Sequence, residues 1–234
     1  MSDFLDTAQA HPEICSVFAQ DDGASMIQTL LLYAPDAFID YDAAQASFDS
    51  PEFLCLLELA KRQTQPEAES PREALLTGQT LLEQLMFGRA QEFEAEYADG
   101  LNELSFPGFP GAGRASFYLT LPMAIPVNAQ EKEGAWAFLK PLITEPLYAA
   151  RSRGGWLPVQ SDFEKKTAAM TDTDAQQLLR ELQAEAVSVF EYDTAVSGIL
   201  ADELPYYFAE EQSAGQIADR IQRRVQLYLE ETRR

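Results

Sequence analysis

SFDSPEFLCLLELAKR, residues 47–62, carries the clearest folding instruction in the chain. Ser50 offers a hydroxyl to cap a helix start, and Pro51 suits the first helical position, where no N–H is needed. Phe53, Leu54, Leu57 and Ala60 then recur at helical spacing, with Leu56 widening the apolar stripe. The pattern predicts a helix with one buried face. The device returns at Ser70-Pro71-Arg72-Glu73, where Ser70 and Glu73 stand at capping-box spacing. Leu75, Leu82 and Leu85 follow with polar residues between them, extending the helical reading. QTQPEAE, residues 63–69, reads as a polar linker between these helices rather than a domain boundary.

Upstream, residues 1 to about 34 read as two short helical pieces around a Gln20-Asp21-Asp22-Gly23 turn, the second with Met26, Leu30 and Tyr33 on one face. Residues 35–49, PDAFIDYDAAQASFD, read as an irregular connection with aromatic anchors. Downstream, FPGFPGAG (106–113) is a loop by its Pro and Gly content. FYLTLPMAIPV (117–127) is apolar and extended, and Pro122 and Pro126 make it an edge or interrupted strand. Asn128 and Glu131 mark a helix start, with Ala135, Trp136, Leu139, Leu142 and Ile143 on its buried side and Pro141 as a candidate break. A turn at Arg153-Gly154-Gly155 precedes Trp156-Leu157-Pro158-Val159. The rest reads as helix: 174–189, with Leu178, Leu182, Ala186 and Val189 on one face, and 194–209 despite Pro205. A last helix starts from Ser213, with Gln216 at the capping-box position. Its stripe is Ile217, Ile221, Val225, Tyr228 and Leu229. The sum is an α/β chain, predominantly helical, with too few strand patterns for a complete doubly wound sheet.

Composition narrows the function classes. Of 234 residues 46% are hydrophobic, enough for a buried core. Thirty-eight acidic residues against 17 basic give a net charge of -21, which repels phosphate backbones and anionic headgroups, so nucleic acid and membrane surfaces are not expected partners. An acidic ligand is disfavoured too unless a local basic pocket overrides the field. His11 is the single histidine, and any Ser-His-Asp or Cys-His site would have to use it. One histidine and two separated cysteines argue against zinc and haem. Cys15 and Cys55 lack Cys-x-x-Cys spacing. Two small buried apolar residues is the simpler reading, and a single disulfide stays open. Asp40-Tyr41-Asp42 and Asp172-Thr173-Asp174 lack the glycine and terminal glutamate of a calcium loop and read as turn and cap chemistry. Gly108, Gly111 and Gly113 do not spell a dinucleotide fingerprint. No catalytic residue, metal ligand or cofactor is expected, and the chain reads as a non-enzyme.

Three stretches in order resemble the family 1 extracellular solute-binding proteins of ABC importers. They are SFDSPEFLCLLELAKR (47–62), LTLPMAIPVNAQEKEGAWAFLKPLIT (119–144) with its strand and Ala-Trp-x-Phe-Leu helix, and GGWLPVQSDFEKK (154–166) followed by SAGQIADRIQRRVQLYLEE (213–231). The resemblance covers most of the chain from about residue 45. It implies a periplasmic-binding-protein-like fold: residues 1–103 as the first segment of the C-terminal lobe, 104–157 as a crossover resembling an N-terminal-lobe strand and helix, and 158–234 as the C-terminal lobe's helical return. It further implies the later part of a longer two-lobed, cell-surface-attached extracellular lipoprotein. Residues 1–6 carry no export signal, a lone lobe is expected to self-associate, and half a cleft is expected to bind nothing alone.

The implied function is capture of a small solute, a carbohydrate by expectation, for delivery to an ABC permease. Aromatic rings on loops can stack on the C–H faces of sugars. The residues expected to do so are Trp156, Phe117, Tyr118 and Tyr192, with Phe106 and Phe109 as further loop aromatics. The alternative is a cytoplasmic helical interaction or regulatory domain with no small ligand.

Overall fold

A computed structural model describes residues 1–19, 22–85, 90–100, 102, 104–105, 123–143, 173–186 and 193–232. Among them the chain is mostly helical with a few short strands, an α/β-type composition. It divides into two units. Met1–Gln84 and Ser188–Arg234 fall in the first, and Leu85–Pro107 and Arg114–Val187 make up the second.

The first unit is organised by helix caps. Helix α1 (Ser2–Ala10) leads to strand β1 (Ser16–Phe18). Helix α2 (Gly23–Tyr33) opens where the Asp22 carboxylate accepts the Ser25 N–H at 2.8 Å. That bond holds the Asp22 carboxyl below its ordinary pKa, because it favours the charged form. Phe38 precedes a small hairpin, β2 (Ile39–Asp40) and β3 (Gln45–Ala46), paired antiparallel with Ile39 opposite Ala46. Its turn is closed by Asp40 Oδ1, which accepts the Ala43 N–H at 2.7 Å, and by Ala44 at φ 54. The segment expected to be irregular therefore holds a hairpin, and its aromatic anchors are real. Phe38, Phe48 and Phe53 are fully buried, with ring centroids 5.0–5.7 Å apart.

Helix α3 (Pro51–Lys61) starts as its sequence dictates, with Ser50 Oγ accepting the Phe53 N–H at 3.3 Å. Phe53, Leu56, Leu57 and Ala60 are buried against α2, where Met26, Ile27 and Leu30 line the facing side. Gly23 sits where no side chain fits. A Cβ there would lie 2.4 Å from the Ala60 carbonyl oxygen and 2.6 Å from the Phe208 ring.

Helix α4 (Pro71–Leu76) is capped by Ser70 Oγ, which accepts the Glu73 N–H at 3.1 Å. Glu73 reaches one residue past the usual capping-box target and accepts the Glu69 N–H at 2.8 Å. Here the long helical reading needs correction. The helix stops at Leu76, the chain turns through Gly78 at φ 70, and Thr80–Leu82 form strand β4. Thr77 Oγ1 donates to the Glu73 carbonyl at 2.7 Å, and Gln79 N to the Ala74 carbonyl at 2.8 Å, so the end carbonyls are taken by the turn. β4 pairs parallel with β1, Ser16 opposite Thr80.

Helices α8 (Thr194–Phe208) and α9 (Ala214–Thr232) complete the first unit. Pro205 lies inside α8 and does not end it. α9 opens with the expected box: Ser213 N donates to Gln216 Oε1 at 2.9 Å, and Gln216 N to Ser213 Oγ at 3.4 Å. Ile217, Ile221, Val225 and Leu229 are buried, and they pack with Leu200, Leu204 and Tyr207 in the same core as α2 and α3.

In the second unit, helix α5 (Ala90–Ala98) meets helix α7 (Asp174–Glu185). Phe93, Ala175 and Leu182 are buried there, with Leu85, Tyr97, Leu104, Leu178 and Leu179 packed around them. Thr173 Oγ1 caps α7 by accepting the Gln176 N–H at 3.3 Å, and the Gln176 side chain donates to Glu94 on α5. Helix α6 (Lys132–Ile143) runs through Pro141. It opens at Lys132 rather than at Asn128, with Glu131's carbonyl accepting the Ala135 N–H. Ala135 and Leu139, four residues apart, are half-buried, whereas Trp136 is 49% exposed, so the expectation that Trp136 is buried is corrected. Trp136 stands one 100° step round from that covered row. Met123–Val127 contain no strand. Pro126 begins a turn whose carbonyl accepts the Ala129 N–H, and Met123 and Val127 are exposed. The rest of the expected strand, 117–122, lies outside the described residues.

Candidate functional site

The ring-stacking candidates Trp156, Phe117, Tyr118 and Tyr192 lie outside the described residues, as do Phe106 and Phe109. The described part of the first unit brings together three other polar constellations.

The first centres on Asp193. Its Oδ1 caps α8 by accepting the Ala195 and Val196 N–H groups at 3.0 and 3.1 Å, and Tyr41 Oη donates to its Oδ2 at 3.2 Å. Burial first, and then the Asp193 charge, raise the Tyr41 phenol above its ordinary pKa. The Tyr228 phenol moves the same way for the same reasons. A carboxylate occupied by this many donors is a fastening. The second is Glu203, whose side chain is 3% exposed and lies between two cations. Arg220 Nη2 lies 2.7 Å from its Oε2, and Arg224 Nη1 lies 2.7 Å from its Oε1. Arg224 also reaches Asp202 at 2.9 Å, and these hydrogen bonds raise its pKa further. The sequence carries a signal for this pair that the motif reading passed over. Glu203 stands at helical spacing in the apolar row Val196, Ile199, Leu200, Tyr207, and a charge in such a row needs a partner.

The third constellation is incomplete. A cleft of about 100 Å³ opens between the end of α1 and the end of α3, over β1. His11, Cys15, Ser16, Arg62 and Gln63 supply its polar lining. Gln63 Oε1 accepts the Val17 N–H at 2.7 Å, which fixes the orientation of the amide and leaves Nε2 as a buried donor without a partner. The Ser16 hydroxyl, in a residue 3% exposed, likewise has no partner, and neither does the Thr80 hydroxyl opposite it in the ladder. Buried polar groups are normally satisfied, and these three atoms lie in the packed wall around the β1–β4 pair with almost no surface turned to the cleft. The volume matches about three waters and falls well short of the roughly 300 Å³ at which small-molecule clefts begin. No sugar fits it.

Two remaining sequence expectations resolve here. His11 is a surface residue with Nδ1 2.9 Å from Glu13 Oε1. Cys15 and Cys55 are free thiols, both half-buried, so the open disulfide reading closes against pairing. Cys15 sits at the C-terminal end of α3, where its carbonyl accepts the Thr64 N–H, while Cys55 lies in the second turn of that helix. The separation is on the order of 10 Å, beyond the ~7 Å reach of a bridge. Among the described residues no group of three His, Cys, Asp or Glu is placed to hold a metal, and no helix is long and apolar enough to cross a membrane. No protein-family model matches this chain, and no curated protein matches it.

Proposed function

We propose that this chain is part of the substrate-binding component of an ABC importer, capturing a small solute, a carbohydrate, by closure of two lobes outside the cell. One observation supports the reading above others. Each of the three family-like stretches contains a helix where the resemblance expects one: Pro51–Lys61, Lys132–Ile143 and Ala214–Thr232, in that order along the chain. The chain passes from the first unit to the second and back after Gln84 and Val187, not at the boundaries near 103 and 157 that the resemblance implies, so residues 85–103 and 158–187 group with the second unit.

On this reading the closed state is selected because ligand contacts both lobes at once, and the closed form docks on a membrane permease. Trp156, Phe117, Tyr118 and Tyr192 stack on sugar faces. The chain performs no covalent chemistry. The test is calorimetric titration of the protein as its own cells make it, isolated through a chromosomal tag, with a panel of mono- and disaccharides. Saturable binding of at least one sugar, weakened by Trp156→Ala, is expected. Absence of binding across the panel removes the sugar assignment.

A further inference from the structure

We propose that Asp99-Gly100 is a site of spontaneous isoaspartate formation, where the peptide link migrates from the main-chain carbonyl of Asp99 to its side-chain carboxyl. This site is separate from the solute cleft of the preceding reading and does not depend on it.

The sequence holds two Asp-Gly steps, Asp22-Gly23 and Asp99-Gly100, and no Asn-Gly step. Asp-Gly is the aspartyl pair most prone to this reaction, because glycine has no side chain to keep its nitrogen from the preceding carboxyl. The glycine nitrogen bonds to the protonated carboxyl carbon and gives up its proton, and the side-chain hydroxyl leaves as water. The succinimide ring so formed then takes water back. Addition at Cγ returns aspartate. Addition at the main-chain carbonyl breaks that carbon's bond to nitrogen and leaves isoaspartate. One water leaves and one enters, so mass is unchanged and nothing is oxidised.

The fold treats the two steps oppositely. The Asp22 carboxylate caps α2 by accepting the Ser25 N–H at 2.8 Å, which favours the ionised form, and that form cannot lose its oxygen as water. Gly23 is buried, and the Ala60 carbonyl and Phe208 ring crowd it closely enough to exclude a Cβ, so its nitrogen cannot swing toward the carboxyl. Asp99 directly follows α5. Its N–H donates to the Ala95 carbonyl at 3.1 Å, but its side chain is exposed and bonds to none of the described residues. Gly100 has φ 106, a value glycine adopts without strain, and beyond its chain neighbours nothing lies within 4 Å of where its Cβ would stand. No packing therefore holds Gly100 away from the Asp99 carboxyl. Migration lengthens the main chain by one carbon between α5 and Leu104, which packs on the Phe93 cluster.

The experiment incubates the full chain for some weeks in mildly acidic buffer, folded and in guanidinium chloride. Isoaspartate is located by peptide mapping with electron-transfer fragmentation, which separates the two linkages. In the folded chain isoaspartate is expected at Asp99 and not at Asp22, and in guanidinium at both. Gly100→Ala should slow the reaction at Asp99 about tenfold, since a side chain hinders the attacking nitrogen. Asp99→Glu keeps Gly100 and its turn and should abolish the product, because glutamate would have to close a larger, slower ring. Equal yields at Asp22 and Asp99 in the folded chain overturn the proposal, as does absence of isoaspartate at Asp99.

Discussion

Glu203 and its two arginines should respond asymmetrically to mutation, because burial is unequal across the pair. The Glu203 side chain is 3% exposed, while those of Arg220 and Arg224 are 36% and 43% exposed. Replacing both arginines by alanine strands a carboxylate in the core, at a cost of about 3 kcal/mol. It also removes the Arg220 stacking on the Tyr206 ring, at 5.1 Å. Replacing Glu203 by leucine instead leaves two cations that water can reach, and it fills the site with apolar volume. That change should cost no more than about 1 kcal/mol. The predicted difference of about 2 kcal/mol belongs to the first unit, so the assay must report that unit. Neither tryptophan, Trp136 nor Trp156, falls within Met1–Gln84 or Ser188–Arg234, and intrinsic fluorescence is therefore unsuitable. Amide hydrogen exchange in α8 and α9 under exchange-equilibrium conditions reads the opening free energy directly. Equal losses in Glu203→Leu and in Arg220→Ala/Arg224→Ala would refute the reasoning, and so would a larger loss in the leucine variant.

Three further outcomes are expected. Gly23→Ala pushes a Cβ against the Ala60 carbonyl and the Phe208 ring and should destabilise the first unit by about 1–3 kcal/mol in urea unfolding, the usual cost of overpacking. Gln222 and Gln226 on α9 act as a strand edge toward the hairpin. Gln222 accepts the Phe48 N–H and donates to the Ala46 carbonyl, while Gln226 accepts the Ala46 N–H and donates to the Ala44 carbonyl. Gln222→Leu with Gln226→Leu should cost about 2–4 kcal/mol and raise exchange at Ala46 and Phe48 well above that elsewhere in the core. Uniform exchange across the unit would contradict that role. The third concerns alkaline pH. Burial raises the Tyr41 and Tyr207 phenols above their ordinary value, with Asp193 and Glu58 respectively adding to it. The unfolded chain then releases these protons first, near pH 10, and binds fewer protons than the folded chain above that point. The contribution is intact below pH 10 and lost as pH rises beyond it. Stability should fall accordingly, with a shallower fall in Tyr41→Phe/Tyr207→Phe as followed by urea midpoint.

Local chemistry was the legible part of the fold. Ser50, Ser70 and Ser213 cap the helices that their spacing announces, because a cap is satisfied within four residues of itself. The stripe of α9 was equally plain, since Ile217, Ile221, Val225 and Leu229 repeat at helical spacing within one segment. Strands β1 and β4 were not legible. Each is three residues long, and the register joins Ser16 to Thr80, so no periodicity can build within either. Leu82 also stands seven residues after Leu75, which imitates a helical row until Gly78 turns the chain. The cleft was hidden for the same reason: its polar lining comes from His11 to Ser16 and from Arg62 and Gln63, stretches that meet only once β1 and α3 are packed. Gln63 stands in a stretch that reads as a polar linker, and nothing in its sequence neighbourhood separates a solvent-facing glutamine from one that holds a strand N–H.

Titration of the cell-made protein with saccharides is the most direct test of the proposal that it captures a sugar between two lobes. Saturable heat with at least one sugar is expected, with binding weakened in Trp156→Ala. No heat across the panel, or identical heat in wild type and Trp156→Ala, would contradict it.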